Sequence, residues 1–521
     1  MSLLPVISVP LAQALPSFAG PLPALFQLVH GPLAHWSQVQ PQAVALSNGR
    51  EQLSFSQLHA QVQRQAEALR QQSAPATVLL DSSGSGLERI VAFLGVIASG
   101  RCAAVADPDW PASVQAHIAA QLAQQPAADM PAPGPETPFY VGFTSGSSGF
   151  PKGFRRHHGS WTESFRVSAQ DLGADACGRV FAPGRLSHSL FLFAALWGLW
   201  NGAGVEIQEQ FSASRALARL QAGEFPLLVA VPSQLQLLLE WAQRRHTPPI
   251  DGVALLLISG ARWMRERTPA LQALFPRARI VEFYGASEAS YIAWMDADPQ
   301  APAQAVGRPF SNVALHIGPD PLAPGTGGNA GPGLARPGLT RPGLARPGLI
   351  WIRSPMLFMD YVGAVDGSAA LRRGPWLSVR DVGHIDDQGR LHLLGRESRM
   401  LVTQGKNLFP EEVEARLVAH PALAQASLQG VADSLRGHVV HAVLQAEDGG
   451  LPDAQALGQW CREALESYKA PRHWWRWQGP WPQTASGKTD HAAIARALAQ
   501  CLQADGSAGT DIATNSLQPW P

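Results

Sequence analysis

Short apolar runs of strand length recur along the chain with helical patterning between them, and this alternation restricts the fold more than any other feature. TVLL (77–80), PLLVAV (226–231), ALLLIS (254–259) and ARIVEFY (278–284) are such runs. After Ser56, read as an N-cap, Leu58, Val62, Ala66 and Leu69 recur at helical spacing, and LERIVAFLGVIA (87–98) is a second helical stretch. Strands alternating with helices predict a layered α/β body with mainly parallel sheets. In such sheets ligands sit beyond the strand ends.

At 521 residues the chain exceeds what one compact core supports, so one large domain with subdomains plus a smaller domain is expected. Lys plus Arg and Asp plus Glu both number 40, so no overall field draws in DNA, RNA or an anionic membrane. Cys102, Cys177, Cys461 and Cys501 are widely scattered without a C-x-x-C pair, and are read as reduced structural thiols of a cytoplasmic protein. The opening MSLLPVISVPLAQALPSFAG is apolar, but it lacks a basic start and prolines interrupt it, which argues against a secretory signal. SLFLFAALWGLW (189–200) is too short to span a bilayer and predicts a helix buried in the large core.

Residues 325–349 carry a repeated PGL[AT]R pentapeptide, too short for a solenoid unit and too rich in Pro and Gly for a helix or strand; it is expected to be an exposed insertion. PEEVEARLVAH (410–420) opens with Pro and paired glutamates, as a helix start does. Beyond about residue 505 the Gly, Ser, Asp and Thr content predicts a disordered tail.

FTSGSSGFPKG (143–153) offers hydroxyls, glycines and a lysine, a backbone and donor set suited to a phosphate chain. It does not fit G-x-x-x-x-G-K-[ST], because Pro151 precedes Lys152 and Gly153 follows it. The other reading is a flexible surface turn.

With FYGASEAS (283–290), LSVRDVGHIDDQGRLHLLGRESR (377–399), GKNLFPEEVE (405–414) and PQTASGKTD (482–490), in that order, this loop resembles the motif series of the adenylate-forming superfamily. That superfamily holds acyl-CoA synthetases, nonribosomal peptide synthetase adenylation domains and firefly luciferase. The resemblance covers nearly the whole chain. It implies a large N-terminal α/β domain over residues 1–395 and a small mobile α+β domain over 396–505, followed by the tail at 506–521. It also implies ATP-dependent conversion of a carboxylic acid to an acyl-adenylate and pyrophosphate, then acyl transfer to a thiol, with Mg2+ and either CoA or the phosphopantetheine of a carrier protein.

In that resemblance Lys488 is the catalytic lysine and Glu288 the magnesium-linked glutamate. Thr144, Ser145, Gly146, Ser147, Ser148, Gly149 and Lys152 hold the outer phosphates. Asp381 and Arg396 bind the ribose, and Tyr284 stacks on adenine with Gly260 and Ala261 opposite; Gly285 and Ser287 belong to the same nucleotide site. His188 lies beside the acyl pocket, with Phe191, Phe193, Trp197 and Trp200 following it either as pocket wall or as plain core. The segment lacks the aspartate that pairs with a substrate ammonium, which points to a fatty, aryl or other non-amino acid. Arg399 stands at the hinge where Asp or Lys is usual, Val402 replaces a lysine, His491 replaces an arginine, and the Gly405 region serves thiolation. Two alternatives stand beside this reading: an enzyme that uses the adenylate without a thiol, such as a β-lactone synthetase, and a non-catalytic nucleotide-binding homologue.

Overall fold

The computed structural model describes residues 26–72, 74–123, 132–144, 151–223, 225–323, 347–363, 369–433, 436–447, 450, 452–484, 488–504 and 516–520. Two sheets and their helices make the large body. In the first, the strands Val44–Ser47, Val205–Ile207, Val180–Ala182, Leu227–Ala230, Leu255–Ile258 and Arg279–Ala286 lie side by side in that order, all parallel. In the second, Thr77–Leu80, Cys102–Val105 and Pro138–Thr144 are parallel neighbours. Leu227–Ala230 and Leu255–Ile258 are buried at every position, so their continuous apolar sequence reflects cover on both faces.

The parallel strands are the heart of each sheet and not its full extent. From Ser290 onward the first sheet continues antiparallel through Ser290–Asp296, Ala305–Pro309, Leu391–Arg396, Asp381–Ile385 and Gly348–Arg353. In the second, Lys152–His157 turns back against Pro138–Thr144, and Asp360–Val362 adds beyond it. Hairpin turns make antiparallel neighbours without a helical crossover, so strand-by-strand alternation with helices carried no sign of this half.

The apolar segment after His188 is the helix Ser189–Trp200, and Phe191, Trp197 and Trp200 are buried in the main core. Partly buried Phe193 packs its ring on Phe165, Trp161 and Tyr291 at 4.9, 5.2 and 5.5 Å between centroids. The helix Phe55–Gln71 starts two residues earlier than the sequence suggests. Its N-cap is Ser54, not Ser56: Ser54 Oγ accepts from Gln57 N while the Gln57 side chain accepts from Ser54 N. The reciprocal pair satisfies two end groups at once, which Ser56 inside the first turn cannot do. No helix of the described residues is long and apolar enough to cross a membrane, and the four cysteines are free thiols.

A separate six-stranded sheet with its own core is built from residue 401 onward. Leu423–Asp433 and Gly437–Ala446 form its long antiparallel pair, and His473–Trp477 lies parallel to the latter. Pro410–Val418, Ala454–Arg462 and His491–Ala504 are its helices. The expectation of an unstructured tail over 506–521 fails at its end. Leu517–Trp520 is an edge strand on His473–Trp477; Leu517 is buried with Trp475, Trp481, Ile494 and Leu498, and Trp520 Nε1 donates to Pro452 O at 2.9 Å. Average composition hid this, because the polar residues before Ser516 dilute a short Leu-Gln-Pro-Trp run. The pentapeptide repeat falls outside the described residues except at its end, where Gly348–Arg353 is strand.

Leu517→Ala is therefore expected to cost about 2 kcal/mol, the low end for emptying a buried leucine site. Urea unfolding followed by tryptophan fluorescence checks it; an unchanged midpoint means that the last strand adds nothing to the small core.

Candidate active site

Three strand ends carry the residues singled out by the motifs. The first is the hairpin between Pro138–Thr144 and Lys152–His157, where Thr144 and Lys152 are direct register partners, so both stand at the mouth of the glycine and serine loop. Ser145, Gly146, Ser147, Ser148 and Gly149 lie outside the described residues. The second is the end of Leu255–Ile258: Ser259 Oγ donates to Phe283 O at 3.0 Å, and Gly260 follows in the left-handed region at φ 90°, with Ala261 next. The third is the end of Arg279–Ala286, carrying Tyr284, Gly285, Ser287 and Glu288. The pairing with Ser290–Asp296 shifts register between Tyr284 and Gly285, and a Cβ at Gly285 would come within 2.3 Å of Ser290 O. Only glycine permits that close approach.

Asp381 and Arg396 are register partners on adjacent antiparallel strands, so a spacing that looks long in sequence puts them side by side. Arg396 Nε lies 3.2 Å from Asp381 Oδ1, while the Tyr284 hydroxyl donates to Asp381 Oδ2. Asp381 is only 4% exposed. Burial pushes its carboxyl above the usual carboxylate range, against the opposing pull of Arg396, Tyr284 and Lys488. The Tyr284 phenol is driven well up, first by burial and then by the neighbouring carboxylate.

Lys488 reaches the same place from the small domain. It sits on a tight turn closed by Thr484 N donating to Lys488 O at 2.7 Å and by the Gln483–Thr489 bridge. Burial lowers the ammonium below the ordinary lysine value, Arg396 lowers it further, and Asp381 and Glu288 act the other way. By area Lys488 is exposed. Its charge therefore stands in an open cleft walled by protein rather than in a sealed core. The Glu288 side chain accepts from the Tyr361 hydroxyl at 2.9 Å, and its carbonyl accepts from Phe358 N at 2.7 Å.

Lys488, Glu288, Asp381, Arg396 and Tyr284 are thus one electrostatic cluster; Thr144 and Lys152 lie on the hairpin whose second strand pairs with Asp360–Val362, the strand that carries Tyr361. His188 has a different place. It precedes the first turn of Ser189–Trp200, its carbonyl accepts from Phe191 N and Leu192 N, and its ring faces Phe191 at 6.3 Å.

Arg399 is anchored in the small domain. It donates to Glu411 at 3.1 Å, to Glu414 at 2.6 and 3.1 Å, and to Leu428 O. His491 joins the edge of this network, 2.8 Å from Ser427 Oγ and 3.7 Å from Glu414 Oε1. Gly405 forms the two-residue tip between Leu401–Thr403 and Lys406–Leu408 with Gln404, both at positive φ, 72° and 52°. Open space surrounds the tip where a Gly405 Cβ would go.

Two residues of this site escaped the sequence reading. Tyr361 sits on the Asp360–Val362 strand, and Arg156 is buried beneath the Glu288 segment. A faint signal existed: Arg156 is two and four residues from Phe154 and Lys152, the same face of a strand that leaves the phosphate loop.

Removing Arg399 leaves Glu411 and Glu414 facing each other largely buried. Arg399→Ala is expected to cost about 3 kcal/mol, as breaking a buried ion pair does, and a thermal unfolding scan reads it. A melting point unchanged from the parent contradicts the anchored arrangement.

The family model described as AMP-binding enzyme matches residues 115–362, and the AMP-binding enzyme C-terminal domain matches residues 412–488. An uncharacterized acyl-CoA ligase, YhfT of Bacillus subtilis (strain 168), is 33% identical over 401 residues, 76% of either chain. The 2-succinylbenzoate-CoA ligase of Geobacillus kaustophilus (strain HTA426) is 28% identical over 335 residues, 63% of either chain. Among solved structures, the o-succinylbenzoate CoA synthetase MenE of Bacillus subtilis, in complex with its acyl-adenylate intermediate, superposes with a TM-score of 0.71 at 23% identity, over 89% of this chain and 97% of that one. The amide bond synthetase McbA of Marinactinospora thermotolerans superposes with a TM-score of 0.71 at 23% identity, over 90% of this chain and 99% of that one. These structural likenesses speak for the fold. With both family models matched in order and a one-third-identical acyl-CoA ligase relative over three quarters of the length, the chain belongs to the AMP-binding, adenylate-forming enzymes.

Proposed function

We propose that the chain joins a non-amino carboxylic acid, fatty or aryl, to a thiol in two steps at the cleft between its domains. Its enzyme class is AMP-forming acid–thiol ligase of the acyl-CoA synthetase type, which uses ATP and CoA. In the first step a carboxylate oxygen bonds to the α-phosphorus of ATP. The bond from that phosphorus to the bridging oxygen breaks, and pyrophosphate leaves with the electron pair. In the second, the thiol gives up its proton to solvent, its sulfur bonds to the acyl carbon, and the bond from that carbon to the phosphate oxygen breaks, so that AMP departs with the electron pair. Soluble acyl carriers and CoA share the pantetheine thiol, and CoA is the acceptor we favour because the relatives are named as CoA ligases.

The observation that carries the residue assignment is the meeting of Lys488 with Asp381, Glu288 and Arg396. A carboxylate and a phosphate oxygen ~4 Å apart repel by about 4 kcal/mol at an effective dielectric of 20, so a cation is required at the point of attack. Lys488 supplies it, and Arg396 and Asp381 hold the ribose once it displaces their mutual contact. Tyr284, oriented by its bond to Asp381, offers its ring to adenine opposite Gly260 and Ala261. Thr144 and Lys152, with Ser145, Gly146, Ser147, Ser148 and Gly149 between them, take the outer phosphates. His188 borders the acyl side, Arg399 is the hinge and the Gly405 tip serves thiolation. On this reading residues 396–505 move as a unit against residues 1–395.

Mg2+ fits the donor set. Among the described residues no three His, Cys, Asp or Glu side chains gather to hold a metal, and Glu288 alone is what an ion coordinated mainly by phosphate oxygens and water asks of a protein. When bound, the ion would neutralise phosphate charge.

Lys488→Ala is expected to slow adenylate formation about 100-fold or more, the cost of one lost transition-state donor, while ATP still binds. Thioester formation from supplied acyl-adenylate should persist, because that step has no attack on phosphorus. Parental exchange of pyrophosphate into ATP by the variant would defeat the assignment. The pH profile gives a second check. The ammonium must be charged to act, and its pKa lies below the ordinary lysine value, so the adenylation rate should fall on an alkaline limb below that value. Lys488→Arg should move the limb upward, since guanidinium keeps its proton.

A further inference from the structure

Arg156 is a full-length cation that is 1% exposed, on the strand that leaves the phosphate loop. Burial lowers its pKa to about 9, with Glu288 pulling the other way, so it carries its charge at neutral pH. Such a group is costly to bury unless every donor is used. Two of its four hydrogen bonds go to the turn that carries Glu288. Nη1 donates to Ser287 O at 2.6 Å, the carbonyl immediately before Glu288. Nη2 donates to Ser290 Oγ at 2.7 Å and to Met356 O, and Nε donates to Ser160 Oγ at 3.3 Å.

The segment so gripped is strained. Ser290 lies in the left-handed region at φ 57°, a conformation that costs a non-glycine residue and persists only when its surroundings enforce it. Arg156 holds its hydroxyl on one side, and on the other Phe358 N holds the Glu288 carbonyl and Tyr361 holds the carboxylate. Tyr361 is the register partner of Phe154, so both grips come from neighbouring strands of the second sheet, one of which begins at Lys152.

We infer that Arg156 is a positioning residue for metal-nucleotide binding: it fixes the Ser287–Ser290 turn, and so the Glu288 carboxylate, in register with the phosphate-binding lysine on its own strand. The inference rests on the reading of Glu288 as the magnesium-linked carboxylate. A flat lysine substitution keeps the charge and loses the planar fork that reaches two carbonyls and a hydroxyl together. It therefore separates position from charge.

The test uses Mn2+ in place of Mg2+, the α,β-methylene analogue of ATP, and electron paramagnetic resonance of the free ion, so no acid substrate is needed. Arg156→Lys is expected to weaken Mn2+ binding about tenfold or more, as loss of a group that orients a metal-binding side chain does, with affinity for the metal-free analogue unchanged. Glu288→Gln should weaken it at least as much. Wild-type Mn2+ affinity in Arg156→Lys, with Glu288→Gln impaired, overturns the inference alone. Full Mn2+ affinity in Glu288→Gln overturns the reading beneath it. Equal loss of metal and nucleotide affinity together with a lower melting point marks Arg156 as a general structural prop and also overturns the inference. If Arg156→Lys does not fold, Ser290→Ala removes one of the two gripped groups of the turn, and an unchanged Mn2+ affinity in that variant has the same force.

Discussion

The approach of one anion to another is the constraint on which this molecule is built. A carboxylate has to touch a phosphorus surrounded by negative oxygens, and the cation we propose for that point, Lys488, is mounted beside the small-domain core of Trp481 and Ile494, away from the core that carries the carboxylates it meets, Asp381 and Glu288. Water competes for such a charge less well in a cleft walled by protein, which the lowered Lys488 pKa registers. Each remaining element can be read as a support: parallel strands that end together, an antiparallel extension that brings Asp381 beside Arg396, and a small sheet that presents one turn.

The parallel half of the fold was legible because buried strands must be apolar throughout and the helices between them amphipathic. Leu255–Ile258 and Ser189–Trp200 fall where their sequences put them. The antiparallel half was not, since hairpin-linked strands such as Asp381–Ile385 and Leu391–Arg396 mix polar and apolar residues and their buried positions do not alternate. The edge strand Leu517–Trp520 was lost in a polar neighbourhood. The charged residues that define the cleft were found through short ordered motifs, and the structure gathers Lys488, Glu288, Asp381, Arg396 and Tyr284. Arg156 left only a faint signal for a physical reason: a strand position does not reveal whether an arginine faces water or a carbonyl 131 residues away.

The departures from the family pattern are local. Arg399 keeps a positive charge at the domain boundary and spends it on Glu411 and Glu414 within the small domain, and His491 sits against Ser427 in the same neighbourhood. Arg262, which follows Gly260 and Ala261, adds an attractive charge toward Glu411 from the large-domain side. None of these residues replaces a group to which we assign a part in the first chemical step.

The most direct test of the account is acid-dependent exchange of labelled pyrophosphate into ATP, run without any thiol over fatty, aryl, β-hydroxy and α-amino acids. The account predicts exchange with a non-amino acid and its loss in Lys488→Ala. Exchange with α-amino acids alone, or with none of the panel while ATP binds, would contradict it.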